Sequence, residues 1–395
     1  MDFTLTEDHK LIAKSATDFA KRKIAPDIKK RDETANPDFN ILKEMGKEGF
    51  LGICLPKKYG GQGADYISLG LVCLEFEKID TSARVVLSVH TGLNSLSLLQ
   101  WGNEKQKEKY LIPQAQGKQI AGFGLTEPNA GSDVAGIKTT AKKIGNHYIL
   151  NGEKTWISLA GVADNFLVFA YTDKSKKHKG ISAFIVERNF EGISTSTLKG
   201  KLGVRAGNTG SIALQDAKIP EENLLGNEGD GFKIAMSAID NGRFTVAAGA
   251  IGIIEACLEA SIKYAKEREA FGKEIGKHQL IQQMIAKMSA SKEIGYLLMY
   301  KAGWLKNQGI RNTKETSLAK WINCNNAFDV ANDALQIFGA YGYSNEFDIE
   351  RHFRNARGAL IYEGTREIHT LLQAEYALGY REDKPLNKPL AKWAD

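Results

Sequence analysis

The spacing of apolar residues in this chain changes period twice. Up to about residue 118 it is helical: Leu11, Ile12, Phe19 and Ile24 share one stripe, and Ile41, Leu42 and Met45 share another after the start signal Asn36-Pro37. Further helical stretches run over 67–79 and 82–101. From 120 to roughly 226 the pattern shortens to strand-like runs at 139–143, 147–151, 154–158, 166–171, 181–187 and 211–219, each bounded by turn residues. After Gly229-Asp-Gly231 the long helical periods return, over 243–266, 279–308, 313–338 and 368–377. Strands that follow one another with no helix between them cannot be joined as right-handed βαβ units. The middle part is therefore expected to be an antiparallel barrel or sandwich and not a doubly wound sheet. The expected fold class is α+β and multidomain: an N-terminal α-helical domain over 1–118, a middle antiparallel β domain over 119–228 and a C-terminal α-helical domain over 229–395.

Composition narrows the function classes. With 43% hydrophobic and 25% charged residues, the 395-residue chain can bury a large core. No uninterrupted apolar run approaches the ~20 residues of a membrane span, and the N-terminal Met1-Asp-Phe-Thr-Leu-Thr-Glu7 is no secretory leader, so a cytoplasmic protein with no membrane partner is expected. Cys54, Cys73, Cys257 and Cys324 are far apart within apolar or helical patterns and read as core thiols. The net charge of +6 is spread thinly, and the one dense basic run, Lys174 to Lys179, has no interleaved aromatics; no nucleic-acid partner is expected. Gly131-Ser-Asp-Val-Ala-Gly136 has the glycine spacing of a P-loop but carries Ile137 where the lysine belongs. A Rossmann fingerprint, a Gly-x-Ser-x-Gly elbow and any histidine spacing suited to a metal are all missing, so no metal is expected.

What remains is a set of separated tracts. Glu363 follows four apolar or aromatic side chains and precedes Gly364 and Thr365; a carboxylate against apolar surface gains proton affinity and suits a general base. The bland alternative is an acidic residue before the helix of Ile368, Leu371, Leu372 and Ala377. Leu125 to Asp133 offers N–H groups and the Thr126 and Ser132 hydroxyls to a planar ring or a phosphate, or is simply a tight loop capped by Asp133. Trp156 and Ser158 share one side of a strand, where the indole either stacks on a flat ligand or is core. Arg268 to Gly272 and Gln336 to Gly339 close long helices with residues suited to a pyrophosphate or adenine, or with glycine caps.

Together and in this order, these tracts resemble the acyl-CoA dehydrogenase family across nearly the whole chain. The resemblance implies a C-terminal four-helix bundle, FAD, an acyl-CoA thioester substrate oxidised between Cα and Cβ, and a place in fatty-acid or amino-acid breakdown. It implies that Phe123, Leu125, Thr126, Gly131, Ser132, Trp156 and Ser158 surround the flavin of their own subunit. Arg268, Phe271, Gln279, Gln336, Ile337, Phe338, Gly339 and Ala340 would reach a neighbour's FAD, with Thr365 and Glu367 near the cofactor again. Such sharing implies a homotetramer, a dimer of dimers. Ser132, Asp240 and Arg243 match positions that meet CoA, and Tyr362, Glu363 and Gly364 match the acyl end. Phe123 and Ser158 replace a frequent Tyr and Thr, and Gly207-Asn208 stand where a serine is common; no chemical function is lost. Some members carry the base directly before the arginine matched by Arg243; here that position is Gly242, which leaves Glu363. The resemblance also implies that Glu363 removes the α-proton as hydride leaves Cβ for the flavin, that the Glu363 N–H and a ribityl hydroxyl bind the thioester oxygen, and that an electron-transfer flavoprotein takes the electrons.

A short straight or branched acyl group is the expected substrate. Arg84 and Ser88 lie four apart on one helical face and, with Glu77, resemble the glutaryl-CoA dehydrogenase branch, where they would clamp a distal carboxylate; the alternative pairs Arg84 with Asp80 on the outside of the helix. Two other classes compete: a non-catalytic binding protein that keeps the fold, and an acyl-CoA oxidase, disfavoured by the short chain.

Overall fold

The structure, a computed structural model, describes residues 4–383 and 388. Its N-terminal part is helical. Glu7–Phe19 begins at Thr6, whose side chain accepts from the His9 N–H, and Tyr66–Ile79 begins at Asp65, which accepts from the Ser68 N–H at 2.7 Å. Beyond Asp80, Thr81–Val86 winds straight into a π-helical stretch, Leu87–Ser95, and then Leu96–Trp101. The expected helix over 82–101 is thus a widened one, and the reason is visible in its polar residues. His90 and Asn94 are buried and turned to the sheet: the His90 Nδ1 accepts from the Ala121 N–H at 3.0 Å, and the Asn94 side chain donates to the Gly122 carbonyl at 2.8 Å.

Those bonds seat the first strand. The middle part holds β1 (Ala121–Gly124), β2 (Thr140–Ile144), β3 (His147–Ser158), β4 (Asn165–Tyr171), β5 (Ile181–Glu187), β6 (Ile193–Thr197), β7 (Thr209–Pro220) and β8 (Leu224–Leu225), in the order β6-β7-β3-β2-β4-β5-β8 with β1 beside β4. Neighbours are antiparallel except β1 with β4 and a single β2–β4 pair, which are parallel. The wholly antiparallel expectation fails there, because β1 reaches β4 through an intervening hairpin and not a tight turn. The expected strands 147–151 and 154–158 are one strand with register shifts between Leu150 and Gly152 and between Lys154 and Ile157. Strand β6, Ile-Ser-Thr-Ser-Thr, was not expected, since an exposed polar edge has no apolar alternation to read.

Past the sheet, the helix Gly231–Glu267 starts well before residue 243 and crosses the molecule. It is the one described helix long and apolar enough to cross a membrane, and 78% of its most apolar window is buried inside the protein. Gln279–Asn307 and Thr313–Phe338 pack beside it, followed by the unanticipated Ile349–Ala359 and by Arg366–Ala377, which Thr365 caps by accepting from the Ile368 N–H. One hydrophobic cluster joins Phe76, Phe169 and Phe244, so the three expected domains share a core, while a second lies within the C-terminal helices. All four cysteines are buried and unpaired.

Candidate active site

Glu363 occupies the turn between the last two helices, in left-handed backbone at φ 58° next to Gly364 at φ 95°. A non-glycine residue adopts that conformation only when its surroundings impose it, at a cost of about 1–3 kcal/mol. Here they do. The Arg243 Nε donates to the Glu363 carbonyl at 3.2 Å, and the buried Lys320 ammonium donates to the Gly364 carbonyl at 2.7 Å. The carboxylate is thereby turned onto the long helix at Gly242, where a Cβ would stand 2.7 and 2.6 Å from its two oxygens and 2.7 Å from Leu93. Position 242 and the carboxylate therefore occupy the same space, and glycine is what makes room. Burial pushes the Glu363 carboxyl up to about 7, against the opposing pull of Arg243, Lys320 and Arg84.

Next to it, Arg84 is buried and points inward. Its Nε pairs with Glu77, one terminal nitrogen donates to the Ser88 hydroxyl at 3.1 Å and the other to the Tyr362 hydroxyl at 2.6 Å. The outward Asp80 pairing is overturned: Asp80 caps the following helix through the Ser82 N–H and meets Arg351. Glu77 also accepts from Thr81 at 2.6 Å, so the buried pair is hydrogen-bonded on both sides. Gly249 leaves space for it, since a Cβ there would lie 2.6 Å from Glu77 and 2.9 Å from Arg84. Asp240 accepts from Arg243 at 3.3 Å and from Thr313 at 2.6 Å. Thus Arg84, Ser88, Asp240, Arg243, Tyr362, Glu363 and Gly364 form one linked group.

A second group lies on the sheet. Phe123 and Leu125 are buried, Phe123 with its ring 5.1 Å from Phe169; Thr126 is half-buried, and Gly131 and Ser132 are exposed in the following loop. That loop is pinned from below by Lys154, which donates to the Leu125 carbonyl at 3.2 Å and pairs with Glu127 at 2.7 Å. Two residues on, Trp156 sits at the bulge of β3 with φ 59°, its side chain 59% exposed, so it is not core. An aromatic plane forced outward beside Ser158, with an open glycine loop near it, fits a flat heteroaromatic ring such as the isoalloxazine of FAD. The π-helical stretch joins the two groups: Leu93 lies against Gly242, the position that also meets the Glu363 carboxylate, while Asn94 holds β1.

A third group lies elsewhere. Arg268, Phe271 and Gln279 are exposed around the short hairpin after the long helix, Phe271 at 96%; Gln336, Gly339 and Ala340 are exposed at the end of Thr313–Phe338. The side chains of Ile337 and Phe338, in contrast, turn into the helical core, where Phe338 stacks on Tyr264 at 4.2 Å. Thr365 is taken up as a helix cap, and exposed Glu367 pairs with Arg366. Sequence reasoning missed Lys320, Lys154, Glu127 and His369, whose Nδ1 meets Ser317 at 2.8 Å. A lysine within a helical stripe of otherwise small, uncharged residues was the signal for Lys320.

Three family models match in sequence order: the acyl-CoA dehydrogenase N-terminal domain over residues 6–118, its middle domain over 122–217 and its C-terminal domain over 229–378. The chain is 41% identical over 372 residues to a short-chain specific acyl-CoA dehydrogenase of Clostridium acetobutylicum, covering 94% of this chain and 98% of that one. It is also 41% identical over 368 residues to subunit CarC of the caffeyl-CoA reductase-Etf complex of Acetobacterium woodii, covering 93% and 97%. The solved complex of glutaryl-CoA dehydrogenase with glutaryl-CoA superposes with a TM-score of 0.93 at 38% identity, covering 96% and 98%.

Proposed function

The chain belongs to the acyl-CoA dehydrogenase family, and from that premise we propose that Glu363 is the base that removes the α-proton of a short-chain acyl-CoA thioester. The protein is an FAD-dependent acyl-CoA dehydrogenase, and bound FAD supplies the acceptor for the hydride that leaves Cβ. The observation that carries the assignment is the carboxylate seated against Gly242 with its proton affinity raised to about 7. A base in that range is ionised often enough near neutral pH and still holds a proton well. Among the described residues the Glu363 N–H donates to no acceptor, which supports its use for the thioester oxygen as enolate charge develops. Phe123, Leu125, Thr126, Gly131, Ser132, Trp156, Ser158, Thr365 and Glu367 would hold the flavin, and Ser132, Asp240 and Arg243 the CoA portion. Glu363→Gln should keep FAD and bind thioester yet lose α-proton exchange into D2O; exchange at the wild-type rate removes Glu363 from this role.

A second reading concerns the acyl group, and the inward Arg84 favours it. Its guanidinium has five N–H groups, of which three go to Glu77, Ser88 and Tyr362, leaving two for a terminal carboxylate such as that of glutaryl-CoA. Anaerobic bleaching of the flavin by butyryl-, isobutyryl-, isovaleryl-, octanoyl- and glutaryl-CoA separates the readings: bleaching by glutaryl-CoA alone selects the dicarboxylate.

Relatives of this chain act on acyl-CoA and work in a complex with an electron-transfer flavoprotein. We assign such a flavoprotein as the acceptor here, and place the enzyme in the cytoplasm as a homotetramer, a dimer of dimers. From Arg243 to Arg268 is 25 residues, about 37 Å along the helix axis, so the exposed third group is remote from its own Glu363 and is best used on a neighbour's FAD. The exposed Leu280, Leu297 and Trp304 on Gln279–Asn307 supply apolar surface for that contact.

A further inference from the structure

The turn that carries Glu363 has two carbonyls facing inward, and each meets a cation from a different helix. Arg243, on Gly231–Glu267, takes the carbonyl of Glu363; Lys320, on Thr313–Phe338, takes that of Gly364 at 2.7 Å. Lys320 is 1% exposed, in a stripe of Thr316, Ser317, Ala319, Asn323 and Cys324 that is otherwise uncharged and buried. Burying an ammonium there costs several kcal/mol unless it is used, and a methionine of similar length would fill the space without that cost. Gly364 is where the hold matters: at φ 95° it is the hinge of the turn, and while Arg243 holds the peptide plane next to the Glu363 Cα, Lys320 holds the following plane, between Gly364 and Thr365, so that the hinge is fixed from both sides.

We propose that Lys320 is a positioning residue for the reaction: its ammonium clamps the Gly364 carbonyl, aims the Glu363 carboxylate along the face of Gly242, and supplies part of the electrostatic field in which that carboxylate works. This rests on Glu363 being the base. The charged groups that act on Glu363 are Arg243 from the long helix, Lys320 from Thr313–Phe338 and Arg84 from the N-terminal helices; around them stand Asp240 against Arg243, Cys324 beside Lys320, Glu77 and Tyr362 on Arg84, and His369 beside Lys320 and Arg243. Burial, then Lys320 and Arg243, push the His369 imidazole down to about 2, so it is neutral and adds no charge. Burial also lowers the Lys320 ammonium, while Cys324 and Glu363 pull the other way. With the carboxylate ionised, Lys320 and Glu363 thus stabilise each other's charged forms. Removing the ammonium raises the proton affinity of Glu363 and loosens its aim together.

The test uses the FAD-loaded protein and two variants, Lys320→Met and Lys320→Gln, with Glu363→Gln in parallel. Lys320→Met should lower kcat by about 10–100-fold with KM changed less than about threefold, the signature of a misplaced reacting group. An infrared pH titration of the carboxyl band that Glu363→Gln lacks should show its midpoint moved upward in both Lys320 variants. Lys320→Gln, which can still donate to the carbonyl, should regain part of kcat while keeping the shifted midpoint. A midpoint and kcat equal to wild type in the variants, with Glu363→Gln inactive, overturns the proposal and leaves the base in place. Normal turnover by Glu363→Gln removes the base itself. If Lys320→Met does not fold, Lys320→Gln alone decides, and an unshifted midpoint there is equally fatal.

Discussion

Gly242→Ala is the sharpest test of the site, because it adds one methyl group at a known place. The new Cβ would stand 2.6 Å from one oxygen of Glu363 and 2.7 Å from the other, where ordinary contact begins near 3.4 Å, so the carboxylate must withdraw by roughly 0.8 Å. Leu93 at 2.7 Å blocks part of the relief, and the carbonyls of residues 363 and 364 are held by Arg243 and Lys320, so the motion falls on the carboxyl end. Misplacement of a reacting group by about 1 Å costs about 100-fold, or about 2.7 kcal/mol of barrier. Overpacking should destabilise the fold by about 1–3 kcal/mol, which a chain of this size survives. The assay is α-proton exchange of butyryl-CoA into D2O, which reports the base without the hydride step, alongside FAD content by absorbance. Exchange within about threefold of wild type in an FAD-replete variant would show that the carboxylate does not work where the structure puts it.

The pH dependence has a definite sign. Glu363 must be ionised to act, so kcat/KM should rise with pH through about 7 and level off above it; a profile falling over that range contradicts the assignment. Because burial raises this carboxyl above its unfolded value, the folded state holds the proton longer and stability is lost as pH climbs from about 4.5 to about 7. The stability gained by Glu363→Gln, read by chemical denaturation, should accordingly be larger at pH 8 than at pH 5.5. Arg84→Met leaves Glu77 buried without its partner and should destabilise by about 3–5 kcal/mol, whereas Glu77→Gln combined with Arg84→Met should recover much of that; equal loss in both denies the pairing its role. Phe271→Ser should lower FAD occupancy and shift the particle to a smaller assembly by light scattering, and an unchanged particle size with full FAD separates that ring from both.

Much of this architecture could be read in the sequence where packing is one-sided and periodic. The helix over 313–338 has the same ends in sequence and structure, because its apolar stripe begins and ends with clear signals. The strand β6 and the helix Ile349–Ala359 were not, the first having no apolar alternation and the second carrying Arg351, His352 and Arg354, whose partners are remote in sequence. The same distinction runs through the site. Glu363 stood out because its neighbours in the chain are apolar. The direction of Arg84 was undecidable, since Asp80 and Glu77 both lie within reach along the helix; only the placement of Tyr362, 278 residues away, and the missing Cβ of Gly249 turn it inward. Lys320 escaped notice for a related reason: its acceptor is a backbone carbonyl, which has no letter of its own.

Trp156, Phe271 and Glu363 all hold left-handed backbone, at φ 59°, 54° and 58°, and none is glycine. Relaxing any of the three to glycine would relieve strain, so a screen that rewards heat tolerance alone should favour sturdier proteins that have shed the indole, the exposed ring or the carboxylate. On the roles proposed for them, resistance to unfolding and competence in chemistry would be opposed at these three positions, and improvement of this scaffold would have to be sought at other sites.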